Sequence, residues 1–314
     1  MAAADIQARA FTDENAAREA IELVLWPFGP VCPHCKGREK IGKFESKSAR
    51  PGLYYCGDCK KQFTVTVGTI FERSKVPLSK WWMAIHLMSS SKKGMSAHQM
   101  HRMLGVAYQT AWFMEHRIRE AMRDDVAGPM GGEGNIVEID ETYIGRKVGV
   151  EVRRGAAHKN AVLTLVERGG SARSFHLDGV KKSDVMPIIE ANLDSASHVM
   201  TDESNLYGDV DKDFASHRVV DHGREEWAYT DRKTGERVHT NTVEGYYSVF
   251  KRGMVGVYQH CGEQHLHRYL AEFDFRHSNR SKRGINDKAR AEKIIEGAKG
   301  KRLMYRRPEE SPLA

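Results

Sequence analysis

The sequence predicts a multidomain protein whose larger part is an α/β domain, a mixed five-stranded sheet flanked by helices. Three observations predict it: a β-patterned run over 136–145 that carries acidic residues, alternating strand and helix patterns after this run, and two close cysteine pairs before it. The cysteine pairs indicate a small metal-binding ribbon. The expected segments are an N-terminal helix and ribbon (1–73), a helical segment (74–124), a linker (125–135), the α/β domain (136–280) and a basic C-terminal tail (281–314).

The balance of charges points to a polyanionic partner. Lys and Arg number 49 against 42 Asp and Glu, which gives a net charge of +7 at pH 7 and makes nucleic acid the first partner to consider. Acidic residues near the N-terminus argue against a secretory signal, and no apolar run approaches the ~18 residues of a membrane span. We therefore expect a cytoplasmic protein without a membrane segment.

Four cysteines form two C-x2-C pairs, Cys32 with Cys35 and Cys56 with Cys59, separated by twenty residues. Two such knuckles supply four thiolates in the tetrahedral arrangement of a structural zinc site, which has no open position for catalysis. The sequence therefore predicts one structural Zn²⁺ and a ribbon that does not fold without it. A short amphipathic helix with Thr12 as its N-cap is expected before the ribbon, over 12–25.

The helical segment has apolar residues at helical spacing over 78–88, 97–104 and 108–122, with Ser96 as an N-cap and Gly105 as a break. A helix, a short turn and a second helix are typical of a helix-turn-helix, whose second helix reads DNA, although an ordinary helical hairpin has the same pattern. The polar residues of the last helix that we expect to contact DNA are Tyr108, Gln109, Thr110, His116 and Arg117.

The α/β domain opens with the 136–145 run, in which Val137 and Ile139 alternate with Glu138 and Asp140. A strand there buries one face and presents its acids on the other. The elements expected to follow are a strand hairpin (160–167 and 173–178), a helix capped by Ser183 (184–193), strands at 197–201 and 217–220, an exposed loop (223–237) and a helix (239–252). On that last helix Asn241, Glu244, Ser248 and Lys251 share one face, opposite an apolar packing side.

This element order is that of the ribonuclease H-like fold, in which acids on the first strand, after the fourth strand and on the last helix converge. The corresponding residues are Asp140, Asp202 and Glu244. Mg²⁺ prefers hard oxygen ligands, and two ions roughly 4 Å apart can stabilise both the attacking and the leaving oxygen of a phosphoryl transfer. Two other roles stay open, because Asp202 can be a helix cap and Asn241 with Glu244 can form a capping box.

The combined motifs resemble insertion-sequence transposases of the DDE class that have an N-terminal zinc ribbon and a ribonuclease H-like catalytic domain. Besides the cysteine pairs, the matching stretches are Trp26-Pro27, Phe63-Thr64-Val65, Gly68-Thr69-Ile70-Phe71, Val137 to Thr142, Thr201-Asp202, His239-Thr240-Asn241 through Glu244, Lys251-Arg252-Gly253, and Tyr269 with Glu272-Phe273 to Arg276. The resemblance spans roughly residues 11 to 280.

The resemblance implies a DNA transposase, a bacterial enzyme of DNA recombination that acts at the nucleoid. Asp140 and Asp202 carry over as ligands of two Mg²⁺ or Mn²⁺ ions. Members of this group are described with Glu or Asn as the third residue, so Glu244 is the expected third ligand and Asn241 the alternative. Water would free a 3′-OH at the element's terminal repeats, and this 3′-OH would attack target DNA, within a homodimer or a higher oligomer.

Further basic residues are expected to contact DNA: Lys251 a backbone phosphate, with Arg153, Arg154 and Arg252 beside it in the same role. By contrast, Glu138 and Glu141 have no partners at matching element positions, and we expect them to be solvated or supporting. The basic residues after Arg280 are expected to form a solvated tail or a frayed helix, with weak phosphate contact as the alternative.

Two other functions fit parts of the same sequence. A ribonuclease H-like nuclease that only hydrolyses needs the same acids, and the absence of joined products from a 3′-OH donor would indicate it. A zinc-ribbon regulator needs only sequence-specific DNA binding, and binding that survives loss of all three acids, without cleavage in any metal, would favour it.

Overall fold

The computed structural model describes residues 8–46, 48–125 and 128–304. Its α-helices are α1 (Glu14–Leu25), α2 (Leu78–Ser90), α3 (Ala97–Leu104), α4 (Tyr108–Met122), α5 (Lys182–Asn192), α6 (Asn241–Gly253), α7 (Leu266–Ser278) and α8 (Asp287–Glu296). Its strands are β1 (Ile41–Lys43), β2 (Tyr54–Cys56), β3 (Gln62–Phe63), β4 (Met130–Gly131), β5 (Ile136–Ile144), β6 (Asn160–Glu167), β7 (Ala172–Leu177), β8 (Leu193–Asp194), β9 (His198–Asp202), β10 (Ser216–Val220), β11 (Tyr229–Thr230) and β12 (Arg237–Val238). Within the described ranges, no helix is both long and apolar enough to cross a membrane.

One compact unit contains the described residues of Met1–Ser91, Met95–Arg123 and Gly284–Ala314. Helix α1 begins after Asp13, whose carboxylate accepts a hydrogen bond from Ala16 N at 2.7 Å, so Asp13 is its N-cap and the predicted cap, Thr12, is wrong. The predicted cap of α3 is confirmed, because Ser96 Oγ accepts from Gln99 N at 3.3 Å. Gly105 ends α3 with a left-handed φ of 59°, a conformation that glycine adopts without strain.

The C-terminal segment differs from its prediction. In place of a solvated tail, 287–296 form α8, which packs on α2 and α4 within the first unit. Ala291, Ile294, Ile295 and Ala298 are buried at helical spacing, and Asn286 caps the helix by accepting from Ala289 N at 2.9 Å. The abundance of Lys and Arg around these four residues concealed the apolar stripe.

The ribbon is a three-stranded antiparallel sheet in the order β1-β2-β3 that carries the four-cysteine site. The four Sγ atoms lie within 4.8 Å of one another, and the Cys32–Cys59 and Cys35–Cys56 Sγ distances are both 3.6 Å. Tetrahedral Zn²⁺ with Zn–S bonds of about 2.3 Å requires S···S separations of about 3.8 Å. The predicted cysteine cluster is thus confirmed, with a geometry that fits one structural zinc ion.

The two knuckles share a local backbone geometry that keeps the thiolates together. Lys36 and Lys60, each directly after the second cysteine of its pair, have positive φ angles of 65° and 60°. Their N–H groups donate to the carbonyls of Cys32 and Cys56, both at 2.9 Å. The pKa of the Cys56 thiol is lowered to about 7, chiefly by the backbone N–H of Cys59, whereas the pKa of the Cys59 thiol is raised, chiefly by burial.

The second unit contains Lys92–Gly94 and the described residues of Asp124–Arg283 and is built on a mixed five-stranded sheet in the order β10-β9-β5-β6-β7. Strands β5, β6 and β7 are antiparallel neighbours, as predicted, whereas β9 pairs in parallel with both β5 and β10. The sheet with its flanking helices is consistent with a ribonuclease H-like fold. Helix α5 starts at Lys182, so its predicted N-cap, Ser183, lies inside it.

Each face of this sheet carries its own hydrophobic layer because side chains alternate along the strands. Val137 and Ile139 point into a layer that includes Val185 and Ile189 of α5. The other layer joins Ile144, Val162 and Val166 to the buried sides of α6 and α7. Strand β5 therefore lies at the centre of the unit and contributes to both layers.

Two stretches expected to lack regular structure contain short strands. In the expected linker, β4 pairs in parallel with β8, and Met130 enters the core with 3% exposure. Gly131 has a φ of 84°, and a Cβ at this position would collide with the side chain of Ser197. In the expected loop over 223–237, β11 and β12 form a two-stranded antiparallel pair.

Zinc removal should unfold the ribbon because its core is small and its sheet has three short strands. We predict one Zn²⁺ per chain, measured by elemental analysis, and loss of both zinc and ribbon protection from hydrogen exchange in Cys56→Ser. The matched variant Cys261→Ser, in the second unit, should keep its zinc. Full zinc content in Cys56→Ser would contradict the site.

Helix α8 should contribute to the stability of the first unit. We predict that Ile294→Ala, at a fully buried position, lowers the free energy of unfolding by about 2–5 kcal/mol because it leaves a cavity. Denaturant unfolding measures this change. Lys288→Ala on the same helix, where the side chain is 74% exposed, is the control and should have little effect. Equal stability of the two variants would be incompatible with a packed α8.

Candidate functional site

Two carboxylates of the predicted acid cluster are brought side by side by the parallel pairing of β5 and β9. The register pairs Val137 with Val199 and Glu138 with Met200. The pairing ends there. Asp140 and Asp202, the last residue of β9, each lie two residues further along and on the same side of their strands, and the charge of Asp202 contributes to the raised pKa of Asp140. The two acids, predicted on the first strand and directly after a later strand, thus come to the same edge of the sheet.

Glu244 reaches this edge from α6. The buried side of the helix is Val243, Tyr246, Tyr247 and Phe250, as predicted. Tyr247 also donates from its hydroxyl to the backbone carbonyl of Asp140 at 2.6 Å, which ties the helix to the strand beside the acid. The opposite face carries Asn241, Glu244 and Lys251, all exposed.

The charges of the neighbouring acids act on Asp140. The pKa of Asp140 is raised to about 8, chiefly by burial and then by the negative charges of Glu141, Asp202 and Glu244. Burial likewise raises the pKa of Asp202. A divalent cation would relieve the repulsion that these charges exert on Asp140, and carboxylate oxygens are the ligands that Mg²⁺ prefers.

The acids are neighbours without forming a closed cage. In the part of the chain that the structure describes, the four cysteines are the one group of three or more possible ligands whose atoms all lie within 4.8 Å of each other. Asp140, Asp202 and Glu244 therefore leave more space between their oxygens than the zinc ligands do.

The alternative roles of these acids have different outcomes. Asp202 does act in a local turn, because its Oδ1 accepts from Ser204 N at 3.0 Å. The Asn241–Glu244 capping box is not formed: α6 begins after Thr240, which makes Asn241 its first helical residue. Glu244 Oε1 instead accepts from Thr240 Oγ1 at 3.2 Å.

Glu138 is the acid whose prediction needs correction. It is not solvated, since its exposed fraction is 0%. Its Oε2 accepts from the backbone N–H groups of Thr242 and Val243 at 2.7 and 3.0 Å, and its Oε1 accepts from Thr242 Oγ1 at 2.7 Å. Glu138 is therefore the N-terminal cap of α6, supplied from a strand more than one hundred residues away, and the supporting part of its prediction stands.

Arg168 completes this contact. Its Nε donates to Glu138 Oε1 at 2.6 Å, and its two terminal nitrogens donate to the carbonyls of Arg237 and His239 at 2.7 and 2.8 Å. Burial and then the charge of Arg168 lower the pKa of His239, so its imidazole is neutral near pH 7. Arg168 is thus the cation that balances Glu138.

Two further residues at the acidic edge escaped sequence reasoning. His222 Nε2 lies 3.5 Å from Glu244 Oε1, on a turn whose N–H groups at His222 and Gly223 donate to Glu203 at 3.0 and 3.1 Å. Tyr207 donates its hydroxyl to Glu141 Oε2 at 2.6 Å, and burial raises the pKa of Glu141. Each contact joins residues from separate elements, so no local pattern indicates it.

The predicted DNA contacts of α4 divide into two groups. Tyr108 and Gln109 are exposed and Thr110 is half-buried, in the first turn of the helix. His116 and Arg117 are 1% and 8% exposed, and their prediction as DNA contacts is wrong. Arg117 is structural, because it donates to the carbonyls of Ile70 at 2.7 Å, Glu72 at 3.0 Å and Leu303 at 3.0 Å within the first unit.

The other predicted DNA contacts are exposed on the second unit. Arg153 pairs with Glu151 at 3.1 Å in the loop after β5, and Arg154 follows it. Lys251 lies over the Tyr247 ring, 5.9 Å from its centroid, and Arg252 donates to Ser248 O at 3.0 Å in the last turns of α6. All four cations are accessible to a polyanion.

Comparison with known proteins gives two matching family models and one relative. The model described as ISXO2-like transposase domain matches residues 131–278, and the model described as transposase zinc-ribbon domain matches residues 12–62. A Halobacterium salinarum protein described as an uncharacterized protein in transposable element ISH50 is 27% identical over 288 residues, which are 85% of this chain and 92% of that protein.

Among solved structures, the Drosophila P element transposase strand transfer complex is similar at a TM-score of 0.26 and 7% identity, over 65% of this chain and 57% of that one. A likeness at this level carries no inference about fold or function. The two family models cover both the ribbon and the sheet with its acidic edge. The chain therefore belongs to the insertion-sequence transposases that carry a zinc ribbon ahead of the transposase domain.

Proposed function

We propose that this protein binds the terminal repeats of its insertion sequence and catalyses metal-dependent DNA end cleavage followed by strand transfer. The observation that carries the proposal is the placement of three acids in the transposase domain: Asp140 on β5, Asp202 at the end of the adjacent parallel strand β9, and Glu244 on α6, whose first turn is held to β5 by Glu138. Charged groups held close together at one edge of a sheet are typical of a functional site.

The three carboxylates fit Mg²⁺ or Mn²⁺, and we expect two ions. Their oxygens are hard ligands, and substrate phosphate and water oxygens would complete the coordination. When bound, such an ion pair stabilises negative charge on the attacking and leaving oxygens of a phosphodiester. The carboxylates of Asp140, Asp202 and Glu244 would hold the ions at the DNA strand.

Glu244 is the better third residue. Its negative charge contributes to the raised pKa of Asp140, which the uncharged Asn241 cannot do. Its carboxylate is also oriented by Thr240. Asn241 is exposed at the first position of α6, where no described hydrogen bond of its side chain directs it towards Asp140.

The proposed reaction has two displacements at phosphorus. First, a water oxygen bonds to the phosphorus at the end of the element, the bond from phosphorus to the 3′ oxygen breaks, and the released oxygen takes a proton to become a 3′-OH. Second, this 3′ oxygen bonds to a phosphorus of target DNA, and the 3′ oxygen of the target leaves. Because both nucleophiles are oxygens of water or DNA, no covalent protein–DNA intermediate is required.

DNA recognition is assigned to both units. In the first, α3 and α4 are the two helices that we propose to act as a helix-turn-helix, and the exposed first turn of α4 carries Tyr108 and Gln109, with Thr110 next to them. In the second, the exposed cations Arg153, Arg154, Lys251 and Arg252 suit phosphate contacts. Because two element ends must be joined to one target, we expect a homodimer or a higher oligomer to act.

Loss of one acid should abolish activity. We predict that Asp140→Asn, Asp202→Asn and Glu244→Gln each reduce end cleavage and strand transfer by at least about 100-fold, since even groups that only support a metal ligand contribute 10–100-fold. The assay uses the element's terminal repeats with Mg²⁺ or Mn²⁺. Asn241→Ala is the comparison and should keep most of its activity.

The same assay distinguishes the other functions. Cleavage without joined products from a 3′-OH donor would indicate a nuclease that only hydrolyses. Sequence-specific binding without cleavage in any metal would indicate a regulator. Activity retained in Asp140→Asn would contradict the acidic site itself. If Asn241→Ala loses activity and Glu244→Gln keeps it, Asn241 rather than Glu244 is the third residue.

The exposed turn of α4 should contribute to terminal-repeat recognition. We predict that Gln109→Ala weakens binding about 10-fold or more, because a side chain paired to a base edge is worth about 1–3 kcal/mol of discrimination. Fluorescence anisotropy at one fixed salt concentration, with repeat and unrelated duplexes, measures this. Gln264→Ala, at an exposed glutamine of the second unit, is the control. If both variants bind the terminal repeat with equal affinity, the first turn of α4 is not the surface that recognises it.

A further inference from the structure

The Glu138–Thr242 contact stands next to the place where the acids meet. Glu138 lies two residues before Asp140 on the same face of β5, and Thr242 lies two residues before Glu244 on α6. Two residues advance about 6.6 Å along a strand and about 3 Å along a helix. The contact therefore fixes the start of α6 close to the acidic site.

The carboxylate of Glu138 is fully used by this contact. An ionised carboxylate has about four acceptor positions, and Glu138 receives four donors: two backbone N–H groups, the Thr242 hydroxyl and Arg168 Nε. The Nδ1 of His239, which accepts from Asn241 N at 3.3 Å, lies 3.2 Å from Glu138 Oε1. A glutamine at this position would keep one oxygen and turn an NH₂ group towards two of these donors. The negative charge of Glu138 and its two carboxylate oxygens are therefore both needed to accept the donors at the start of α6.

Arg168 extends the same restraint to the chain that enters α6. Arg168 donates to Glu138 with one nitrogen and to the carbonyls of Arg237 and His239 with the other two. The residues directly before α6 are therefore held by Arg168, and the first turn of α6 is held by Glu138. By contrast, the Glu244 side chain is 44% exposed. The position of Glu244 depends on where its helix begins more than on packing of its own side chain.

We propose that Glu138 is a positioning residue of the acidic site: by holding the first turn of α6 against β5, it sets the separation of Glu244 from Asp140 and so the affinity of the site for divalent cations. This inference rests on the proposed function. Glu138 itself, with its acceptor positions occupied, contacts neither metal nor DNA.

The test is Mn²⁺ binding by the zinc-loaded full chain, measured from the electron paramagnetic resonance signal of free Mn²⁺. The specific site is defined as the binding that Asp140→Asn loses. We expect Glu138→Gln to weaken this binding about 10–100-fold, the range found when a group that orients a metal ligand is removed. Half-maximal Mg²⁺ for end cleavage should rise in parallel, while terminal-repeat binding stays unchanged.

The control is Glu272→Gln. Glu272 is also 0% exposed and forms a buried ion pair with Arg276 on α7, so its loss tests general damage to the same unit. We expect Glu272→Gln to lose stability without a change in Mn²⁺ affinity. If Glu138→Gln is folded and binds Mn²⁺ as the wild-type chain does, or if both variants lose affinity only in proportion to their unfolded fraction, the positioning role is refuted.

Thr242→Val keeps the proposal testable if Glu138→Gln does not fold, because it removes one donor and leaves the buried charge paired. A smaller weakening in the same direction is expected, and unchanged affinity would overturn the proposal. If the wild-type chain has no Mn²⁺ site that depends on Asp140, the proposed function fails together with the inference. A normal wild-type site with unaffected variants refutes the inference alone.

Discussion

The buried carboxylate of Glu138 at the start of α6 is the interaction on which the acidic edge depends. A charge with 0% exposure is stable there because the helix N-terminus offers unpaired N–H groups and a positive dipole end, and Arg168 adds a full positive charge. Breaking a buried pair of this kind costs about 3–5 kcal/mol, which is a large share of the 5–15 kcal/mol that stabilise a typical domain. Strand and helix are therefore coupled in position.

Strand β5 can serve both the core and the site because its side chains alternate. Val137 and Ile139 enter the layer with α5, whereas Glu138 and Thr142 are buried on the side of α6. Asp140 belongs to the second set but lies at the edge next to Asp202. A slip of the register by one residue would put the acids into the α5 layer, so the hydrophobic pattern itself fixes where the acidic edge forms.

Local periodicity explains what the sequence could predict. The cysteine spacing, the hairpin after β5 and the buried side of α6 are patterns within a few residues of each other, and the structure bears them out. The role of Glu138 could not be predicted in this way, because its partner Thr242 is 104 residues away. The burial of Arg117 was missed for the same reason, since it bonds to Leu303 at the other end of the chain.

The central claim is that β5, β9 and α6 assemble one site for divalent cations. The most direct measurement is a crystal structure of the protein with Mn²⁺ and terminal-repeat DNA, with the ions located by anomalous scattering. The account predicts anomalous density between Asp140, Asp202 and Glu244, separate from the zinc of the ribbon. Density elsewhere, or Mn²⁺ bound without a carboxylate from α6, would contradict it.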